Sequence, residues 1–166
     1  MLEYFKSLFF SLWQENKELS IERWISRHLS KVLLFELIGI ESLEPEIKTR
    51  AERLLAKAKE QGLNIRITET FRSVKKQDEY YNKGRTSSGS KVTNAKGLQS
   101  YHQYGLAFDV SFVGSNAYPN DNAIWEKLGK IGESLGLVWG GRFNDKPHFE
   151  YHLEGKTWEQ LNKYYL

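Results

Sequence analysis

Residues 100–113 read SYHQYGLAFDVSFV, and the fold follows from how this stretch is parsed. From Ala107 to Val113 large apolar residues alternate with smaller or polar ones. In a strand that spacing puts Phe108, Val110 and Phe112 on one face and Ala107, Asp109 and Ser111 on the other. Gly105 stands just ahead of the strand, where its backbone freedom lets the chain fold back. His102 and Asp109, seven residues apart, then flank the turn, with Asp109 on the face away from the bulky apolar side chains.

Upstream, Pro45 suits the first turn of a helix, Ile47, Ala51, Leu54, Leu55 and Ala58 follow at helical spacing, and Gly62 can close it. LNIRITET, residues 63–70, alternates Leu63, Ile65 and Ile67 with polar residues and predicts a half-buried strand ending near Thr70. Arg72 emerges at the strand's end. Ser73 can cap a short helix through about Tyr81, followed by a loop from Lys83 to Ser100 rich in Gly, Ser, Thr and Asn. So long an irregular loop in a small domain is often a binding loop.

Downstream, NDNAIWEKLGKIGESLG, residues 120–136, carries Ile124, Leu128, Ile131 and Leu135 on one helical stripe and ends at Gly136. LVWGG reads as a short strand and turn. PHFEYHL, residues 147–153, predicts a strand with His148, Glu150 and His152 on one side, and a short helix begins near Thr157. Helices interleaved with short strands predict an α+β fold, a small antiparallel sheet with helices packed on one side. Residues 1–40 read as an N-terminal helical extension to a domain spanning 41–166. Leu2, Phe5, Phe9 and Leu12 form one apolar stripe, and Ile21, Trp24, Ile25, His28, Leu29 and Val32 another. These stripes suit packing on the main domain, with a membrane surface or a partner as the alternative.

At 166 residues and 40% hydrophobic content the chain supports one core. Lys and Arg number 24 against 21 Asp and Glu, an excess too small to point to nucleic acid as a partner. Residues 71–100 depart from that balance, with seven basic side chains against Asp78 and Glu79. This segment is either a solvated loop or a contact for an acidic ligand. No cysteine is present, which excludes disulfides, thiolate metal sites and a cysteine nucleophile. MLEYFKSLFFSLWQENKELS interrupts its apolar residues with Glu3 and Lys6 and shows no cleavage site, so a secretory signal is not expected. VLLFELIGI, nine residues with Glu36 inside, is too short to span a bilayer.

Three of the four histidines fall between residues 102 and 152, each near a carboxylate. A catalytic zinc needs about three nitrogen or oxygen ligands and one open position. His102 and Asp109 supply two, with His148 and His152 as candidates for the third; the same spacing also suits ordinary hydrogen-bonded residues. Asp145 precedes His148 by three residues across Pro147 and could activate water, a role for which Glu150 competes.

SYHQYGLAFD matches the Ser-x-His-x-x-Gly-x-Ala-x-Asp signature of the M15 zinc peptidases, the D-alanyl-D-alanine dipeptidase and carboxypeptidase family. ITETFRS, QDEYYNKGRT and VTNAKGLQSYH resemble its L-alanyl-D-glutamate endopeptidase branch, found in phage endolysins and bacterial wall hydrolases. The resemblance covers about residues 45–152. It implies one zinc ion on His102, Asp109 and His148, with Asp145 as the base. It further implies Arg72 binding or polarising the substrate carbonyl and Ser100 in a supporting or substrate-side position. The implied substrate is the peptidoglycan stem peptide, cleaved between L-alanine and D-glutamate, with the basic loop as a contact for its carboxylates. A D,D- or L,D-carboxypeptidase or dipeptidase, or a wall-binding module without chemistry, are the alternatives. The expected protein is a monomer made in the cytoplasm that acts at the cell wall after release. GGRFNDKPHFE is less aromatic than the corresponding run of the nearest wall hydrolases, and the first forty residues have no counterpart in the resemblance.

Overall fold

The computed structural model describes residues 39–165. The helices expected over residues 1–40, His28 included, lie outside the described residues, apart from Gly39 and Ile40 in a 3-10 turn, Gly39–Ser42.

Helix α1, Pro45–Glu60, begins as its sequence dictates, with Pro45 in the first turn and the Glu44 carboxylate accepting from the Glu46 amide at 3.0 Å. Ile47, Ala51, Leu54 and Ala58 are buried along one stripe, where each Ile or Leu contributes about 1.5–3 kcal/mol by leaving water. Strand β1, Ile65–Glu69, follows. Ser73 caps α2, Val74–Asn82, by accepting from the Lys76 amide. An irregular segment then leads to a 3-10 turn, Tyr101–Tyr104, and strand β2, Ala107–Phe112. Helix α3, Asn122–Ser134, strand β3, Val138–Trp139, a 3-10 turn, Gly140–Phe143, strand β4, His148–Glu150, and helix α4, Trp158–Tyr165, complete the order.

The four strands form one antiparallel sheet in the order β1-β2-β4-β3. Helices α1 and α3 contact each other and lie against strands β1 and β3 respectively, giving the expected α+β architecture. Phe108 and Phe149 stack beneath them with ring centroids 5.6 Å apart, and Phe112 meets Trp125 edge-on at 4.9 Å. Gly129 and Gly132 let α3 approach this layer closely: a β-carbon would lie 2.2 Å from the Trp139 ring at the first and 2.4 Å from Phe149 at the second.

Strand β4 is shorter than the alternation of PHFEYHL predicts. Its neighbour β2 begins at Ala107, which pairs with Glu150. The Tyr151 amide takes the Leu106 carbonyl at 2.9 Å, and the chain then turns into a 3-10 segment, Leu153–Gly155. His152 therefore lies beyond the strand. No helix among the described residues is long and apolar enough to cross a membrane.

Candidate metal centre and substrate groove

The side of the sheet facing away from α1 and α3 carries the polar cluster. Pairing register decides its membership: Glu69 on β1 stands opposite Asp109 on β2, and Asp109 stands opposite His148 on β4. Three polar side chains thus form one rung across three strands. His102 reaches the rung from the 3-10 turn, which is capped at Ser100 and closed by Gly105 in the left-handed region at φ 67°. Any β-carbon on Gly105 would lie 3.1 Å from the Ser42 carbonyl oxygen.

His102, Asp109 and His148 offer one ligand atom each, all within 4.8 Å of one another. Asp109 Oδ1 lies 3.0 Å from His148 Nδ1 and 3.4 Å from His102 Nε2. On the far side of its ring, His102 Nδ1 is 2.6 Å from the Thr70 carbonyl oxygen. A carbonyl only accepts, so Nδ1 holds a hydrogen, and Nε2 is the nitrogen that would serve a metal. Two imidazole nitrogens and a carboxylate oxygen in one small volume are the donor types zinc takes in catalytic sites. The residues fit that ion.

Burial opposes the charge of Asp109, yet the hydrogen bonds and charges of His102 and His148 outweigh it and hold the carboxyl well below the usual range. Burial likewise works against a charged His148, but Asp109 and Glu150 raise its pKa to about 9 in the metal-free protein.

Asp145 and Glu150, the two rivals for the base, are placed differently. Both Glu150 oxygens are engaged, Oε2 by His148 Nε2 at 3.0 Å and Oε1 by His152 Nε2 at 2.7 Å. The Asp145 carboxylate accepts no hydrogen bond from any described residue and opens onto the groove. Burial raises the pKa of its carboxyl, with Asp109 adding to the shift while His148 opposes it. A carboxylate with no hydrogen-bond partner among the described residues, open to the groove, is placed to take a proton from a group bound there. His152 stands apart from the cluster, stacked on Tyr101 with ring centroids 4.6 Å apart.

Arg72 is buried and heavily committed. Its guanidinium binds both Glu69 oxygens at 3.0 and 2.5 Å, Gln77 Oε1 at 2.9 Å and Asp109 Oδ2 at 3.3 Å. Four of the five guanidinium hydrogens are thereby used, leaving one on Nη1. Ser100 sits in the groove wall, but its side chain is turned to the amide of His102 at 3.4 Å. Glu69 and the fully buried Gln77 were not singled out by their spacing, although ITETFRS and QDEYYNKGRT, the segments that contain them, carry part of the family resemblance.

The cluster opens into a groove of about 710 Å³. One wall comes from α2 and the loop after it, through Tyr80, Val92, Thr93 and Gln99. The other includes Tyr118 and Phe143, and together with Val92 these are more than half exposed.

Residues 93–151 match the M15 peptidase family described as D-alanyl-D-alanine carboxypeptidase. The chain is 42% identical over 121 residues to the peptidoglycan L-alanyl-D-glutamate endopeptidase CwlK of Bacillus subtilis (strain 168), covering 65% of this chain and 72% of that one. A 28% identical match over 135 residues to the L-alanyl-D-glutamate peptidase of Listeria phage A118 covers 76% of this chain and 44% of the phage protein. The fold is similar to the Serratia marcescens L-Ala D-Glu endopeptidase ChiX, with TM-score 0.52, 19% identity and coverage of 68% and 82%. It is also similar to the zinc-bound D,D-pentapeptidase VanY of a VanB-type resistance cassette, with TM-score 0.52, 18% identity and coverage of 75% and 84%. With the donor cluster and its signature strand in place, the extent of the match to the Bacillus enzyme means that this chain belongs to the M15 family of zinc peptidases.

Proposed function

We propose that the protein hydrolyses the amide between L-alanine and D-glutamate in the peptidoglycan stem peptide, with zinc held by His102, Asp109 and His148. The observation that carries the hydrolytic chemistry is the Asp145 carboxylate, without a hydrogen-bond partner among the described residues, in the same groove as those three donors. The choice of bond follows the Bacillus and phage relatives, both named for L-alanyl-D-glutamate cleavage.

Bound zinc supplies a Lewis acid that makes water more acidic and polarises the scissile carbonyl. Asp145 takes the proton released as water attacks the carbonyl carbon, then gives it to the departing amine nitrogen as the C–N bond breaks. The remaining Nη1 hydrogen of Arg72 donates to the carbonyl oxygen as charge gathers there. Glu69 and Gln77 keep that guanidinium from swinging away. Ser100 supports the substrate side by fixing the turn that carries His102. The catalytic unit is residues 41–166, residues 1–40 are an appended extension, and the protein acts on the wall as a monomer without nucleic acid.

The family description covering residues 93–151 favours one second reading, a carboxypeptidase of the same fold. Digestion of purified muropeptides separates the two. Endopeptidase action exposes a new amino terminus on D-glutamate; free D-alanine with the L-alanine to D-glutamate bond intact would overturn the first reading. A non-catalytic wall binder would show no turnover before or after Asp145→Ala.

A further inference from the structure

His102 and His148 have to present opposite ring nitrogens to one ion, Nε2 from the first and Nδ1 from the second. Neutral imidazole can carry its hydrogen on either nitrogen, so the protein must choose for each. For His102 the Thr70 carbonyl makes the choice by accepting from Nδ1. For His148 the group at the opposite nitrogen is a carboxylate: Glu150 Oε2 lies 3.0 Å from Nε2. A hydrogen held there leaves Nδ1 free to face Asp109.

Glu150 is itself held. Its second oxygen receives His152 Nε2 at 2.7 Å. The His152 ring lies nearly parallel to Tyr101, at 11°, and the Tyr101 hydroxyl donates to the Lys156 carbonyl at 2.9 Å. Tyr101 is buried and adjoins His102 in the chain. A continuous contact chain therefore runs from one candidate ligand, His148, through Glu150, His152 and Tyr101 back to the backbone of another.

From this geometry we infer that Glu150 is a positioning residue for the metal centre, fixing the hydrogen of His148 on Nε2, and that His152 locks Glu150 in place. The inference rests on the proposed zinc site. Carboxylate partners of metal-bound histidines orient the ring and increase its basicity, and their loss weakens metal binding by about 10–100-fold. His152, which the sequence offers as a rival ligand, thus serves the ion from one residue further out.

The test is zinc affinity, measured by competition with a chromophoric chelator on the purified chain, with thermal melting of each metal-free variant alongside. Glu150→Ala should weaken zinc binding by about 10–100-fold. Glu150→Gln should recover most of it, because the amide oxygen still accepts from Nε2. His152→Ala should give a smaller loss in the same direction. Cobalt(II) absorption should change in Glu150→Ala and return in Glu150→Gln, which a purely structural role would not produce. Unchanged zinc affinity in a folded Glu150→Ala protein overturns the inference while leaving the zinc site intact. If Glu150→Ala does not fold, wild-type zinc affinity and an unchanged cobalt(II) spectrum in folded His152→Ala protein overturn it. A wild-type protein that binds no zinc overturns the zinc site itself, a result distinguishable from the others.

Discussion

Asp109 and His148 are register partners on adjacent antiparallel strands, and their side chains meet at 3.0 Å between Oδ1 and Nδ1. In the metal-free protein this contact is an ion pair; zinc at the proposed site would take the same two atoms as ligands. On the proposed site, the proton on His148 Nδ1 and the metal would compete for one position.

That competition gives opposite pH trends for stability and zinc binding. The His148 pKa rises from 6.5 to about 9 on folding, so its stabilising contribution is complete below 6.5 and is lost as pH climbs through about 9. Asp109 is depressed from 3.8, so its contribution is present above that value and is lost as pH falls below it. Urea unfolding of chelator-treated protein should show stability declining from pH 6.5 to 9, while zinc affinity rises across the same interval. Parallel trends would remove the ion pair from the account.

Asp145→Asn should keep zinc and lose turnover by about 10²–10⁴-fold, the usual worth of a general base. Metal content and steady-state rates on the same preparation distinguish this from loss of the site.

Arg72→Lys should lower kcat while zinc binding persists. A lysine ammonium cannot hold Glu69 through two parallel bonds and still reach Gln77 and Asp109. A fall of about 10²-fold is expected for a lost donor to the developing oxyanion. Unchanged kcat with a raised KM would make Arg72 a binding group only.

Gly140→Ala should damage structure and activity together. A β-carbon there would fall 2.4 Å from the Asp145 carbonyl oxygen and 2.7 Å from His148 Cβ, so backbone or strand must shift. Overpacking of this kind costs about 1–3 kcal/mol. Denaturant melts should register that loss, and kcat should drop further because Asp145 and His148 both border the clash.

Gly132→Ala carries a similar penalty on the other face, where the added carbon meets the Phe149 ring. Combined with Phe149→Leu it should cost less than the sum of the two single changes, as measured by a double-mutant cycle of unfolding free energies. Strict additivity would show that the two do not touch.

How far the sequence revealed these relationships depended on whether a residue's role was local. The α1 stripe, the Ser73 cap and the alternation of β2 were legible because period and capping chemistry reside in neighbouring residues. Gly129 and Gly132 were not, since a glycine's value there is set by Trp139 and Phe149, which arrive from strands β3 and β4. The same limit applied to the polar rung. Asp109 and His148 could be picked out as donors, yet only strand pairing shows that Glu69 completes their row and that His152 falls past the end of β4. Asp145 and Glu150 were inseparable by spacing; the hydrogen bonds that occupy one and spare the other come from three-dimensional neighbours.

The polar rung across β1, β2 and β4 has a consequence for how such a protein can change. Chemistry is anchored in the sheet and the turn before it, whereas Val92, Thr93, Ala95 and Gln99 reach the groove from the long segment after α2 and supply none of the three donor atoms. One wall of the groove and the three candidate donors thus come from separate lengths of chain. Grafting a different segment between Lys83 and Gln99 would reshape that wall of the groove while leaving the strands that carry Asp109 and His148 as they are.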